Sequence, residues 1–127
     1  VADVLEFPVE IESTSSVPPY EQLRARLRDA IASGELAAGA RLPTVRALAT
    51  ALNLAANTVA RSYRELEADS LIETRGRLGS FVSATGSPAE KELQLAARGY
   101  ADRAKALGIA SPDALAIVSA ALGTRAP

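Results

Sequence analysis

Leu42-Pro43-Thr44-Val45-Arg46-Ala47-Leu48-Ala49 reads as the opening of a short helix, and the fold turns on it. Thr44 can cap that helix by accepting a hydrogen bond from an unpaired N–H of its first turn. Val45, Leu48, Ala49 and Leu52 then share one apolar side. After the turn Asn53-Leu54-Ala55-Ala56, a third helix starts around Asn57-Thr58-Val59. On a 100° wheel Val59, Tyr63 and Leu66 cluster within about 60°, while Asn57, Arg61 and Arg64 fall on the opposite side.

Working outward, Pro19-Tyr20-Glu21-Gln22-Leu23 opens a first helix. Its apolar positions Tyr20, Leu23, Leu27, Ala30 and Ile31 follow helical spacing, with Arg24 and Arg28 facing elsewhere. Gly34 ends it through a left-handed cap and begins a loop that runs to Gly39. Downstream, Leu71-Ile72-Glu73-Thr74 and Ser80-Phe81-Val82 read as two strands, joined by the basic turn Arg75-Gly76-Arg77-Leu78-Gly79. Tyr20, Leu23, Leu48, Val59, Tyr63, Leu66 and Phe81 are the expected core. A helix pair followed by a basic, glycine-bracketed hairpin suits a major groove of duplex DNA and its flanking phosphates.

Two flanks complete the chain. Phe7-Pro8-Val9-Glu10-Ile11-Glu12 alternates apolar and acidic residues, which predicts a short edge strand, and 13–18 reads as linker. At the other end, Ser87-Pro88-Ala89-Glu90 is a capping box with proline at the first helical position. Leu93, Ala97, Tyr100, Ala104 and Leu107 then recur at alternating four- and three-residue steps before Gly108. Ser111-Pro112-Asp113 is expected to cap a last helix, Ala114 to Leu122, that is apolar nearly all round and has to be buried against something. Gly123 stops it.

Composition bounds the function. At 127 residues there is room for one ordinary domain and an appendage. The chain has no cysteine and no histidine, which removes thiolate chemistry and the commonest metal ligand and general base. The carboxylates Glu65, Glu67 and Asp69 sit on one helix with arginines interspersed, a solvated face rather than an acid–base pair, and no phosphate-cradling GxxxxGK is present. No catalytic residue, metal site or cofactor is expected. No apolar run approaches the roughly 18 residues that span a bilayer, and no signal peptide is visible, so the chain reads as cytoplasmic and off the membrane. Its first residue, Val1, suggests a trimmed start.

The net charge is −1, but it is unevenly spread. Residues 1–17 hold Asp3, Glu6, Glu10 and Glu12 and no base; residues 18–84 hold nine arginines against seven acids; the remainder holds five bases against four acids. DNA affinity must therefore come from a few well-placed arginines and helix ends, not from a broad basic face.

The spacing of the middle block resembles the winged-helix domain of GntR-type bacterial transcription regulators. The likeness covers roughly residues 8–84. It rests on Pro19-Tyr20-x-Gln22-Leu23, the Gly34–Gly39 loop, Leu42-Pro43-Thr44-x-Arg46-x-Leu48-Ala49, Asn57-Thr58-Val59, Tyr63-x-x-Leu66-Glu67 and Gly79-Ser80-Phe81-Val82. The short tail, with Ala104-x-x-Leu107-Gly108-Ile109, looks like the YtrA subfamily; other branches carry larger effector-binding or aminotransferase-like domains, for which this chain has no room. The resemblance implies a mostly α (α+β) fold: an acidic segment with a short edge strand over 1–17, a winged helix-turn-helix domain with a β-hairpin wing over 18–84, and a two-helix dimerisation tail over 85–127. Such regulators often control their own operon and a neighbouring ABC transporter.

For the site, the resemblance brings Arg46 to a base edge or nearby phosphate; a guanidinium fork that meets guanine O6 and N7 is worth roughly 1–3 kcal/mol of discrimination. A surface arginine paired with a neighbouring acid is the plain alternative. Thr44 can cap its helix, worth roughly 1 kcal/mol, and the same helix end can hold a phosphate. Asn57, Thr58, Arg61 and Arg64 are the candidates for groove contacts on the third helix, against the alternative of a solvated face. Thr58 either touches a phosphate or back-bonds within the helix. Arg75, Arg77 and Gly79 form the candidate wing contact, where a narrow minor groove attracts arginine. Here the chain departs from its relatives, which commonly place Ser-Arg where this chain has Ala55-Ala56. One base reader and one cap are missing, which predicts that Asn57 or Arg61 takes more of the specificity, or that one operator position is read less strictly.

In the tail Leu93, Ala97, Tyr100, Ala104, Leu107, Leu115, Val118 and Leu122 are the candidate dimerisation residues, since a small winged-helix body cannot cover them all. Packing back onto the first helix is the alternative. The expected function is a dimeric, sequence-specific regulator, a repressor on a pseudo-palindromic double-stranded operator, with a small-molecule effector possible but unidentified. A winged-helix protein–protein adaptor is the competing reading, favoured by the near-neutral charge and Ala55-Ala56 and opposed by Arg46, Asn57 and the wing arginines.

Overall fold

The computed structural model describes residue 5 and residues 7–124. Asp3 and Glu6 of the acidic segment lie outside the described residues. The elements run α1 (Pro19–Ser33), α2 (Val45–Leu52), α3 (Ala56–Ala68), β1 (Ile72–Thr74), β2 (Ser80–Val82), α4 (Pro88–Ala106) and α5 (Ser111–Leu122), with a 3-10 turn over Gly76–Leu78 in the hairpin. This is the mostly helical α+β architecture of a winged helix-turn-helix. The described residues divide into two compact units between Thr85 and Gly86.

The first unit is built around α1 and α3. Leu23, Leu27 and Ala30 of α1 meet Val59, Tyr63 and Leu66 of α3, and Leu48 and Ala49 of α2 close the cluster, all buried. Ile72 and Val82 bring the hairpin into the same core, as do Leu36 and Leu42 from the loop between α1 and α2. Gly34 ends α1 at φ 89°, and Leu36 N–H returns to Ala30 O at 3.0 Å, the wrap-back that satisfies a terminal carbonyl. Ser62 is fully buried on α3, and its hydroxyl donates to Tyr20 O at 2.7 Å, which ties the first turn of α1 to α3.

β1 and β2 pair antiparallel, with Ile72 opposite Val82, Glu73 opposite Phe81 and Thr74 opposite Ser80. The sheet edge has a further partner that was not evident from the sequence. Val82 N–H donates to Ala40 O at 2.9 Å, Leu42 N–H to Ser80 O at 2.8 Å, and Arg41 bridges Phe81.

No strand forms over 7–12. The expected alternation is present, because Phe7, Val9 and Ile11 pack on the core while Pro8, Glu10 and Glu12 are exposed. What is missing is a ladder. Gln22 on α1 takes both backbone groups of Glu12 (Glu12 N–H to Oε1 at 2.8 Å, Nε2 to Glu12 O at 3.0 Å), and Arg26 Nε donates to Pro8 O at 3.1 Å. Side chains of α1 thus take the place of a ladder for these backbone groups.

Tyr20 and Phe81 also differ from expectation. Both are half-buried, not core, and each carries a guanidinium on its ring: Arg61 at 3.7 Å and Arg75 at 4.3 Å from the centroids.

In the second unit Ser87 Oγ accepts from Glu90 N–H at 3.1 Å and the Glu90 carboxylate accepts from Ser87 N–H at 2.9 Å, the expected capping box. The Ser87 backbone N–H first, and then its hydroxyl, hold the Glu90 carboxyl below its usual range. α5 begins at Ser111, three residues earlier than expected. Ala110 is the cap position and makes no side-chain cap bond, because Ser111 and Pro112 already lie in the first turn. Tyr100 Oη donates to Ala114 O at 2.7 Å and joins α4 to α5. Leu93, Leu107 and Leu122 are 72%, 58% and 74% exposed, and Leu115 and Ile117 are about half exposed, so the apolar surface of this unit is largely uncovered within one chain.

Candidate nucleic-acid interface

The site is set by where α2 and α3 begin. Thr44 caps α2 as its sequence predicts, accepting from Ala47 N–H at 3.0 Å. The residue just before the cap is held as well, because buried Tyr63 of α3 donates its hydroxyl to Pro43 O at 2.7 Å. That bond fixes the entry to α2, and with it the exposed first turn that carries Arg46, against α3. Burial pushes the Tyr63 hydroxyl well above the usual tyrosine range, so it stays a donor.

On α3, Asn57, Thr58, Arg61 and Arg64 line one shallow cleft together with Pro19 and Tyr20 from the start of α1. The groove candidates of the third helix are therefore brought together. α3 starts without a side-chain cap at Ala55, which is the structural form of the missing Ser-Arg. Thr58 O accepts from Ser62 Oγ at 3.3 Å, while among the described residues the Thr58 hydroxyl makes no bond, so Thr58 does not back-bond.

The arginines of this unit fall into two groups. Arg24 bridges Glu21, Glu65 (3.4 Å) and Asp69 (3.9 Å), and Arg26 pairs with Glu35 at 3.0 Å. The hydrogen bond from Arg24 holds the Glu21 carboxyl below its usual range. Arg61 is clamped between the Tyr20 ring and Glu65, its Nε 3.2 Å from Oε2. Arg75 is clamped in the same way, between the Phe81 ring and Glu73 at 2.8 Å. By contrast Arg46, Arg64 and Arg77 are exposed and make neither a hydrogen bond nor an ion pair among the described residues. Of the basic residues picked from sequence, three are free to meet an anion and two are already held by a ring and an acid.

The wing is a hairpin closed by a 3-10 turn, with Arg75 N–H bonded to Gly79 O at 2.8 Å. Gly79 has φ 106° and ψ −163°, a region open to glycine alone, and this shape lets Arg77 and Leu78 project from the tip. Among the described residues no cluster of histidine, cysteine and carboxylate side chains could hold a metal ion, and no helix is long and apolar enough to cross a membrane.

Residues 19–82 match the model of the gntR family of bacterial regulatory proteins. The chain belongs to that family. It is similar to the HTH-type transcriptional regulator Rv1152 of Mycobacterium tuberculosis, 44% identical over 107 residues that cover 84% of this chain and 88% of the relative. It is also similar to the HTH-type transcriptional repressor YtrA of Bacillus subtilis, 41% identical over 76 residues, 59% of this chain and 58% of the relative. Among solved structures, YtrA from Sulfolobus acidocaldarius, a GntR-family transcription factor, superposes with a TM-score of 0.57 at 25% identity, covering 91% of this chain and 97% of the other. This GntR-family chain is thus a YtrA-like, DNA-binding transcription regulator, and the family is one of regulators rather than enzymes.

Proposed function

We propose that the protein is a dimeric, cytoplasmic repressor that sets α3 of each protomer into one half-site of a pseudo-palindromic operator. The observation that carries this reading is the pattern of unused charge. Arg46 at the capped start of α2, Arg64 on α3 and Arg77 at the wing tip are all exposed and unpaired, each on an element that a winged helix-turn-helix offers to DNA. Arg46 reads a base edge or takes a nearby phosphate, Asn57 and Thr58 face the groove, and Arg77 takes a phosphate or a narrow minor groove. Arg61 and Arg75 present guanidiniums already held over rings, and Gly79 shapes the wing.

The exposed apolar side chains of α4 and α5 support the dimer, with Leu93, Ala97, Tyr100, Ala104, Leu107, Leu115, Val118 and Leu122 at the interface. Residues 18–84 then act as the reading domain and 85–127 as the dimerisation tail. Repression of its own operon and of a transporter operon follows the YtrA likeness, and any effector acts by binding one DNA-competent state better than the other.

Selection of duplexes from a random pool tests this. The enriched sequences should hold two half-sites related by a two-fold axis, spaced by about one helical turn or a multiple, with two protomers bound. Enrichment of a lone half-site by single protomers contradicts the proposal.

A further inference from the structure

Arg41 lies outside the helix-turn-helix pattern, yet the fold gives it a seat of its own. Residues 40–42 run beside β2, with Leu42 buried in the core and Arg41 exposed. The Arg41 guanidinium rests on the wing where Gly79 has no side chain. A Cβ at that glycine would stand 3.0 Å from Nε and 3.4 Å from Nη2. Glycine is thus required at position 79 for its backbone angles, and a side chain there would also crowd the Arg41 guanidinium out of this seat. Arg41 makes no hydrogen bond or ion pair among the described residues, and the wing acid Glu73 is already held by Arg75. Free Arg77 precedes Gly79 by two residues, and the Thr44 cap of α2 follows Arg41 by three.

We propose that Arg41 is a further DNA contact that takes a backbone phosphate where the wing meets the start of α2, with Gly79 as the positioning residue. The guanidinium stands on a strand-like segment beside a turn, not on a helix that enters the groove, so it meets the duplex rim rather than base edges. Its N–H fork is wholly unused and matches the oxygens of one phosphate. Such a contact fixes register without reading sequence. The inference rests on the DNA-binding reading above.

Binding of the full chain is titrated against salt on a scrambled duplex and on one selected from a random pool. Arg41→Gln should reduce the slope of log K against log salt by about 0.9 per protomer. The reduction should be the same on both duplexes, and Arg41→Lys should restore most of it. Gly79→Ala should weaken binding more in the wild type than in the Arg41→Gln background. An unchanged slope, a loss confined to the selected duplex, or strictly additive substitutions would overturn the proposal. A wild type that binds neither duplex sinks the DNA-binding reading itself, whereas normal binding with an Arg41-independent slope sinks this inference alone.

Discussion

The Arg61 guanidinium lies 3.7 Å from the centre of the Tyr20 ring, so the first turn of α1 supports a side chain of α3 that the sequence pattern assigns to the groove. Glu65 holds the same guanidinium from below on its own helix, and Arg24 links Glu65 back to α1. The orientation of Arg61 is therefore already set, and on the proposed DNA contact this would lower the ordering cost of binding. Tyr20→Ala and Arg61→Ala should couple by about 0.5–1 kcal/mol in a cycle read by DNA affinity. Independent effects of the two substitutions would show that the ring plays no part.

The uncapped start of α3 makes a second prediction. Ala55→Ser supplies an acceptor for a first-turn N–H and should raise stability to urea by about 1 kcal/mol. Ala56→Arg places a guanidinium beside Asn57 and should narrow the set of selected operators, with little effect on unfolding. Unchanged selection with Ala56→Arg would mean that position 56 faces away from the bases.

Tyr63 ties α3 to the entry of α2. Tyr63→Phe removes the bond to Pro43 O and should cost about 0.5–1.5 kcal/mol. The pH dependence has a definite sign. The folded chain keeps the Tyr63 proton above pH about 10, where the unfolded chain loses it, so the wild type loses stability as pH rises beyond that value. The phenylalanine variant should lack this part of the alkaline slope. Parallel stability curves for the two proteins would contradict the assignment.

The tail offers a test of the dimer. Leu115→Asp and Leu122→Asp place charge on proposed interface side chains that are 49% and 74% exposed in one chain. Sedimentation should show a wild-type dimer and variant monomers that keep the winged-helix signal in circular dichroism. A variant that stays dimeric would move the interface elsewhere.

Much of this was legible in the sequence, for identifiable reasons. Local devices were readable because they are set by one or two residues: the Thr44 cap, the Ser87–Glu90 box, the left-handed Gly34 and the Val59-Tyr63-Leu66 face all form as their spacing predicts. The hairpin was readable from its glycines. What escaped were pairings between segments far apart in the chain. The 7–12 alternation predicts a strand because period-two burial looks the same with or without a ladder, and Gln22 and Arg26 supply the bonds instead. The sequence places Tyr20 and Phe81 in the core because an aromatic at an apolar position gives no sign that an arginine will cover its other face. Arg41 carries no local signal because its seat depends on a glycine 38 positions away.

The central claim is that unpaired arginines on α2, α3 and the wing meet duplex DNA, and salt-dependent titration of selected and scrambled duplexes tests it most directly. Arg46→Ala should lose roughly 1–3 kcal/mol on the selected duplex and much less on the scrambled one. Arg77→Ala should weaken both alike and reduce the salt slope by about 0.9 per protomer. Equal wild-type affinity for the two duplexes at moderate salt, or a slope that neither substitution moves, would contradict the account.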